Sequence, residues 1–272
     1  MSQGKVFGIL YLENYLSESV FNEQSMPATE LIASHMAMAL DNATLMDNIE
    51  TRIRARTEEI ESRMDISENL LRNVLPGEAI EELKNTGKST ARRYNDVSIL
   101  MADIKGFTLI AEKLSPEELI NLIDHHFRAF DTIMEKCGMD KIKTIGDAYM
   151  AAGGLNSSAH DGAAAAINAA IEMQHFMAAG QTSLPDGMKL ELRIGIHTGT
   201  VIAGVVGSHR FQYDIWGDTV NVAARMEQCS QPGRINISEA TMQLAGDRFL
   251  YEYRGKIDAK NKSDLDMYFI AV

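Results

Sequence analysis

"VSILMADIKGFT", Val97 to Thr108, is the stretch from which the fold is read. Val97 to Ala102 is an apolar run with β-strand character. Asp103 follows it directly, and Gly106 opens a turn. A strand that ends in Asp before a Gly turn sets a carboxylate beside free backbone N–H groups. Such groups can face phosphate oxygens.

Downstream, strand and helix patterns alternate. "SPEELINLIDHHFRAFDTIMEKC" predicts a helix, and "DKIKTIGDAYMAAGG" a hairpin that turns at Gly146-Asp147. "SSAHDGAAAAINAAIEMQHFMAA" predicts a second helix and "MKLELRIGIHTG" a strand. "TVNVAARMEQC" predicts a third helix. "GRINIS", "SEATMQLAG", "FLYEYRG" and "DLDMYFIAV" then read as strand, short helix, strand and strand. This order predicts a mixed sheet with helices packed on it, α+β or α/β. No repeat of 20–50 residues is visible.

Upstream the texture changes. "GKVFGILYLENYL" reads as a β-rich run. Pro27 to Leu75 contains no Gly and no further Pro, and Pro27 suits a first helical position. A continuous helix over these 49 residues would be about 70 Å long. Met46, Ile49, Ile53, Ile60, Met64, Leu70, Leu71 and Val74 recur at coiled-coil spacing, with Arg56 and Arg63 near seam positions. A parallel dimeric helix that passes signals is favoured over a merely solvated one, because polar seam residues leave register adjustable. Pro76-Gly77 stops the rod, and "EAIEELKNTG" and "KSTARR" follow. The divisions expected are 1–47, 48–75, 76–93 and 94–272.

Net charge is −12, which disfavours a nucleic-acid binder, although a few basic residues can still be focused in one cleft for a small polyanion. Cys137 and Cys229 have no metal-ligand spacing and read as reduced cytoplasmic thiols. No run of about 18 apolar residues exists to span a membrane, and no signal peptide is apparent. His125-His126 do not share a helical face. The sixteen methionines read as core and seam filling.

Asp103 and Asp147 each have an easy explanation, since Asp is common in turns. At one edge of a sheet, however, they would form a hard oxygen site suited to Mg²⁺ and phosphoryl chemistry. The second dense stretch is "FQYDIWGDTVNVAARM", Phe211 to Met226. Asn221 and Arg225 lie four apart on a predicted helix and so project from one face. An amide and a guanidinium there suit a charged, polar ligand. Asp218 or Thr219 is expected only to cap that helix, and Trp216 to pack behind a ligand.

"VSILMADIKGFT", "KIKTIGDAYM", "LRIGIHTG" and "QYDIWGDTVNVAARM", in this order and with Asp147 44 residues after Asp103, resemble the catalytic domain of class III nucleotidyl cyclases. The resemblance covers Tyr94 to Val272 and implies that family's ferredoxin-like fold. "LLRNVLP…IEELK" is similar to the helix and transducer that precede such domains. Residues 1–47 resemble the last third of a GAF domain, which implies a fragment of a longer chain.

By this resemblance Asp103 and Asp147, with the Ile104 carbonyl, match the ligands of two Mg²⁺ (or Mn²⁺) ions. Lys143 and Asp214 match a purine-selecting pair. Asn221 matches the ribose-orienting residue, and Arg225 the one that stabilises the transition state. Arg193, Lys260 and the amides of Gly106 and Phe107 match phosphate contacts. Two departures stand out. Lys105 replaces a commonly apolar residue, and "DAKNKSD" replaces a Gly-containing segment, leaving Lys262 as an alternative to Lys260. The resemblance also implies a homodimer in which two sites are each shared between the chains.

Substrate choice is argued from hydrogen bonds. Lysine only donates and ionised aspartate only accepts. Adenine offers an acceptor at N1 and a donor at its 6-amino group; guanine reverses them. The base expected is therefore adenine, and with it the resemblance implies conversion of ATP to 3′,5′-cyclic AMP and pyrophosphate. The alternatives are a guanylyl or relaxed-specificity cyclase, or a catalytically silent dimerisation module.

Overall fold

The computed structural model describes residues 6, 8–16, 22–23, 25–155, 161–180, 189–207, 209–257 and 265–271. The chain divides into two compact units, Met1–Asn73 and Val74–Val272.

In the first unit a single helix, α1, runs from Met26 to Arg72. It crosses the expected boundary at residue 47 without a break. Pro27 sits in its first turn, where a missing N–H costs nothing. Ala37 is its only buried residue. The seam residues Met46, Ile49, Ile53, Ile60, Met64, Leu70 and Leu71 are all exposed. The β-rich run before it forms no strand among the described residues. A strand is completed by a neighbour's backbone, and no described segment pairs with this one.

The second unit is built on one sheet. Its strands are β1 (Arg92–Lys105), β2 (Asp140–Ile145), β3 (Ala148–Gly153), β4 (Glu191–Val206), β5 (Gln212–Trp216), β6 (Ile235–Ser238), β7 (Tyr251–Ile257) and β8 (Leu265–Ile270). They lie in the order β2-β3-β1-β4-β6-β8-β7, with β5 paired to β4. The β4–β6 pair is parallel and the others are antiparallel, so the sheet is mixed. The helices are α2 (Gly77–Thr86), α3 (Phe107–Ala111), α4 (Pro116–Cys137), α5 (Gly162–Ala179), α6 (Asp218–Gln228) and α7 (Glu239–Ala245).

Alternation along β1 divides the core. Leu100, Ala102 and Ile104 pack with Phe130 and Met134 of α4 and with Ala166, Ile167 and Met173 of α5. Val97, Ile99 and Met101 point the other way, into a cluster that includes Ala223 of α6. Asp103 continues this second series. Helix α4 is set by a capping box between Ser115 and Glu118, worth about 1 kcal/mol. It ends at Gly138, and it buries Leu122, His126, Phe130 and Met134 at four-residue spacing. His126 bonds the Leu122 carbonyl at 2.7 Å, so this histidine belongs to the core. Helix α2 is tied to the start of β1: Arg92 pairs with Glu78 and Glu82, and the Thr90 amide donates to Glu82 at 2.8 Å.

The expected cap of α6 is corrected. Gly217 is the N-cap, Asp218 is the first helical residue, and Thr219 donates to the Thr200 carbonyl at 2.7 Å. The far end of α6 lies directly on β4. A Cβ built on Gly195 would stand 1.9 Å from the Glu227 amide nitrogen. Only glycine allows this approach.

Gly195→Ala should therefore lift α6 from the sheet. The expected loss is at least about 2 kcal/mol, or about 4–8 °C in Tm for a unit of this size. Thermal melting followed by circular dichroism checks it; an unchanged Tm would contradict the packing described.

Candidate active site

The β3–β1–β4 register builds the first half of the site. Asp103 pairs with Ala148 on one side and with Arg193 on the other. Asp147 immediately precedes Ala148, in the two-residue turn between β2 and β3. Gly146 takes a φ of 63°, a left-handed conformation that suits glycine at such a turn. Both carboxylates expected from sequence thus come to one edge of the sheet, as does Arg193. Arg193 Nη2 donates to Asp103 Oδ2 at 2.5 Å.

Electrostatics mark these acids as crowded. Burial raises the Asp147 pKa, and the adjacent Asp103 carboxyl raises it further. A divalent cation would relieve that repulsion, and two carboxylate groups are hard oxygen donors. No group of three or more His, Cys, Asp or Glu that could hold a metal occurs among the described residues. Two carboxylates alone fit a cation that takes most of its ligands from other oxygens. Ile104 is buried opposite Leu192. Gly106, at a φ of 77°, caps the short helix α3 that begins at Phe107. The first amides of such a helix have no carbonyl partner within it.

The second half joins β2 to β5. Lys143 Nζ donates to Asp214 Oδ2 at 2.6 Å across 71 positions of sequence. Asp214 is only 7% exposed, and its other oxygen accepts from the Ile215 amide at 2.8 Å. An expected pair is therefore a contact in the fold. No hydrogen bond or ion pair among the described residues links it directly to Asp103, Asp147 or Arg193. Asn221 and Arg225 lie one turn apart on α6, exposed and half-buried respectively. Trp216, expected to pack behind a ligand, is exposed and lies opposite Ile202 of β4. Lys260 and Lys262 lie outside the described residues.

Sequence reasoning missed Glu227. Its Oε1 lies 3.0 Å from Arg193 Nη2, so one guanidinium stands between Glu227 and Asp103. Burial pushes the Glu227 carboxyl up to about 7; Arg193 opposes this, and Asp103 and Asp147 add to it. A signal was present. Thr219, Val222, Ala223, Met226 and Glu227 are the buried residues of α6, at core-face spacing. An acid in such a row needs a partner.

Comparison with known proteins identifies the family. The model of the adenylate and guanylate cyclase catalytic domain matches residues 89–272. An adenylate cyclase of Mycobacterium tuberculosis is 38% identical over 221 residues, which is 80% of this chain and 49% of that protein. The chain thus spans about half the length of that curated relative. The guanylate cyclase domain of RhGC from Catenaria anguillulae, in complex with GTP, superposes with a TM-score of 0.63 at 30% identity. That match covers 66% of this chain and 98% of the other. The adenylyl cyclase CyaB from P. aeruginosa gives 0.61 at 30% identity, over 67% and 96%. With the family model spanning residues 89–272, this chain belongs to the adenylate and guanylate cyclase family.

Proposed function

We propose that this cyclase uses ATP and releases 3′,5′-cyclic AMP and pyrophosphate. The observation that carries the reading is the Lys143–Asp214 contact at 2.6 Å. It sets a pure donor beside a pure acceptor, and both keep hydrogen-bonding capacity for a ligand. Adenine's N1 and 6-amino group complement that order. Guanine would face Lys143 with its N1–H and leave buried polar groups unpaired, a strong penalty in a desolvated site.

The remaining residues take the roles that intramolecular phosphoryl transfer needs. Asp103, Asp147 and the Ile104 carbonyl would hold two Mg²⁺ or Mn²⁺ ions. When bound, these ions would supply charge to acidify the ribose 3′-hydroxyl and hold the phosphates. Asn221 orients the ribose for in-line attack on the α-phosphate. Arg225 offers fixed donors where charge grows in the transition state. Arg193, the Gly106 and Phe107 amides and Lys260 (or Lys262) meet the leaving pyrophosphate.

Two chains would share each site, one giving the acids and the other the base pair and α6. The uncovered seam of α1 supports a parallel helical dimer in residues 48–75, with residues 1–47 as the end of a GAF-like sensor. Residues 76–93, containing α2, would pass the signal on through Arg92, Glu78 and Glu82. A guanylyl or relaxed-specificity enzyme is the second reading, supported by the likeness to a GTP-bound guanylate cyclase domain.

Two experiments test this. Asp147→Ala and Asn221→Ala should each be inactive, yet together restore about a quarter of wild-type turnover, because random pairing gives half heterodimers with one intact site each. No recovery from two folded, dimeric variants contradicts shared sites. Lys143→Glu should lower kcat/KM for ATP roughly 10²-fold or more relative to GTP. An unchanged ATP/GTP ratio contradicts the assigned base pair.

A further inference from the structure

Two buried polar atoms beside the acids lack a hydrogen-bond partner among the described residues: Arg193 Nε and Glu227 Oε1. They belong to facing residues. Arg193 spends its aligned hydrogen bond on Asp103, at 2.5 Å. Its approach to Glu227, at 3.0 Å, is an ion pair without hydrogen-bond alignment. An orphaned donor and an orphaned acceptor on facing, ion-paired residues are costly. The backbone that carries Glu227 is anchored. The backbone of its helix rests on Gly195, and the preceding Met226 carbonyl accepts from Asn236 Nδ2 at 2.8 Å.

We infer that Glu227 is a positioning residue that receives the Arg193 guanidinium when a divalent cation takes Arg193's place on Asp103. This rests on the reading of Asp103 and Asp147 as cation ligands. In the cation-free protein Arg193 neutralises Asp103 and so competes with the incoming ion. Glu227 lowers the cost of that exchange, because the displaced guanidinium stays charge-paired and gains the hydrogen bond it lacked. Held there, Arg193 remains beside the acids, available to phosphate oxygens. Glu227 lies two positions from Arg225 on α6, yet it acts on the acids of its own chain. In a dimer with shared sites, α6 would present Arg225 to one site while Glu227 serves the other.

The test is Mn²⁺ binding to the full chain at pH 8 without nucleotide, read from the paramagnetic resonance of the free ion. Asp103→Asn should abolish the site. Glu227→Gln should weaken Mn²⁺ binding about tenfold, and Glu227→Asp, which keeps the charge, should recover most of it. Arg193→Ala should bind Mn²⁺ at least as tightly as wild type, and in that background Glu227→Gln should have no further effect. The inference is overturned if Glu227→Gln binds like wild type, if Arg193→Ala binds more weakly, or if the Glu227→Gln loss persists without Arg193. If Asp103→Asn alone leaves Mn²⁺ binding intact, it is the assignment of the cation ligands that fails. Should Glu227→Gln melt early, the Arg193→Ala and Glu227→Asp results still decide the matter.

Discussion

The placement of β1 between β3 and β4 is the constraint on which the rest depends. It aligns Ala148, Asp103 and Arg193 across three strands, and the tight β2–β3 turn then delivers Asp147 to the same edge. Strand alternation makes the arrangement all-or-none. Leu100, Ala102 and Ile104 fill the core under α4 and α5, so Asp103 must lie on the opposite face, under α6. A one-residue slip would drive the carboxylate into the core and expose that apolar series. The packing that stabilises the domain thus also positions its acids.

Helix α6 combines a packed face with a polar one. Its buried row of Thr219, Val222, Ala223 and Met226 holds it on the sheet, and the missing side chain at Gly195 lets it sit close. The row then ends in Glu227, which is why an ion pair is buried where a hydrophobic residue would pack more cheaply. Asn221 and Arg225 project from the less buried side. A rigid, closely packed helix would suit the ligand roles proposed for them.

Much of the fold was legible because local signals agreed with tertiary ones. The stretch from Ser115 to Cys137 announced α4, Gly146-Asp147 announced the hairpin, and Pro27 announced α1. The failures have physical causes. Strand β4 continues past Gly199 to Val206 because β5 and the start of β1 pair with its second half; β5 follows closely, but the β1 partners, Arg92 to Tyr94, are far off in sequence. The N-terminal run has strand composition but no paired neighbour among the described residues. Of the site, the acids stood out because they interrupt strand-and-turn patterns. Lys143 and Asp214 were paired only through resemblance, since 71 positions separate them. Glu227 was missed because an acid near the end of an amphipathic helix usually faces water; only its phase relative to Val222, Ala223 and Met226 reveals that it does not.

If Lys143 and Asp214 select adenine at a site whose acids hold divalent cations, competition between bases shows it most directly: the full chain is given equal ATP and GTP with Mn²⁺, and the cyclic products are separated and quantified. Cyclic AMP should be in large excess, with inorganic pyrophosphate formed in equal amount. Predominant cyclic GMP, or no cyclic nucleotide from a folded and dimeric protein, would refute adenine selection at this site.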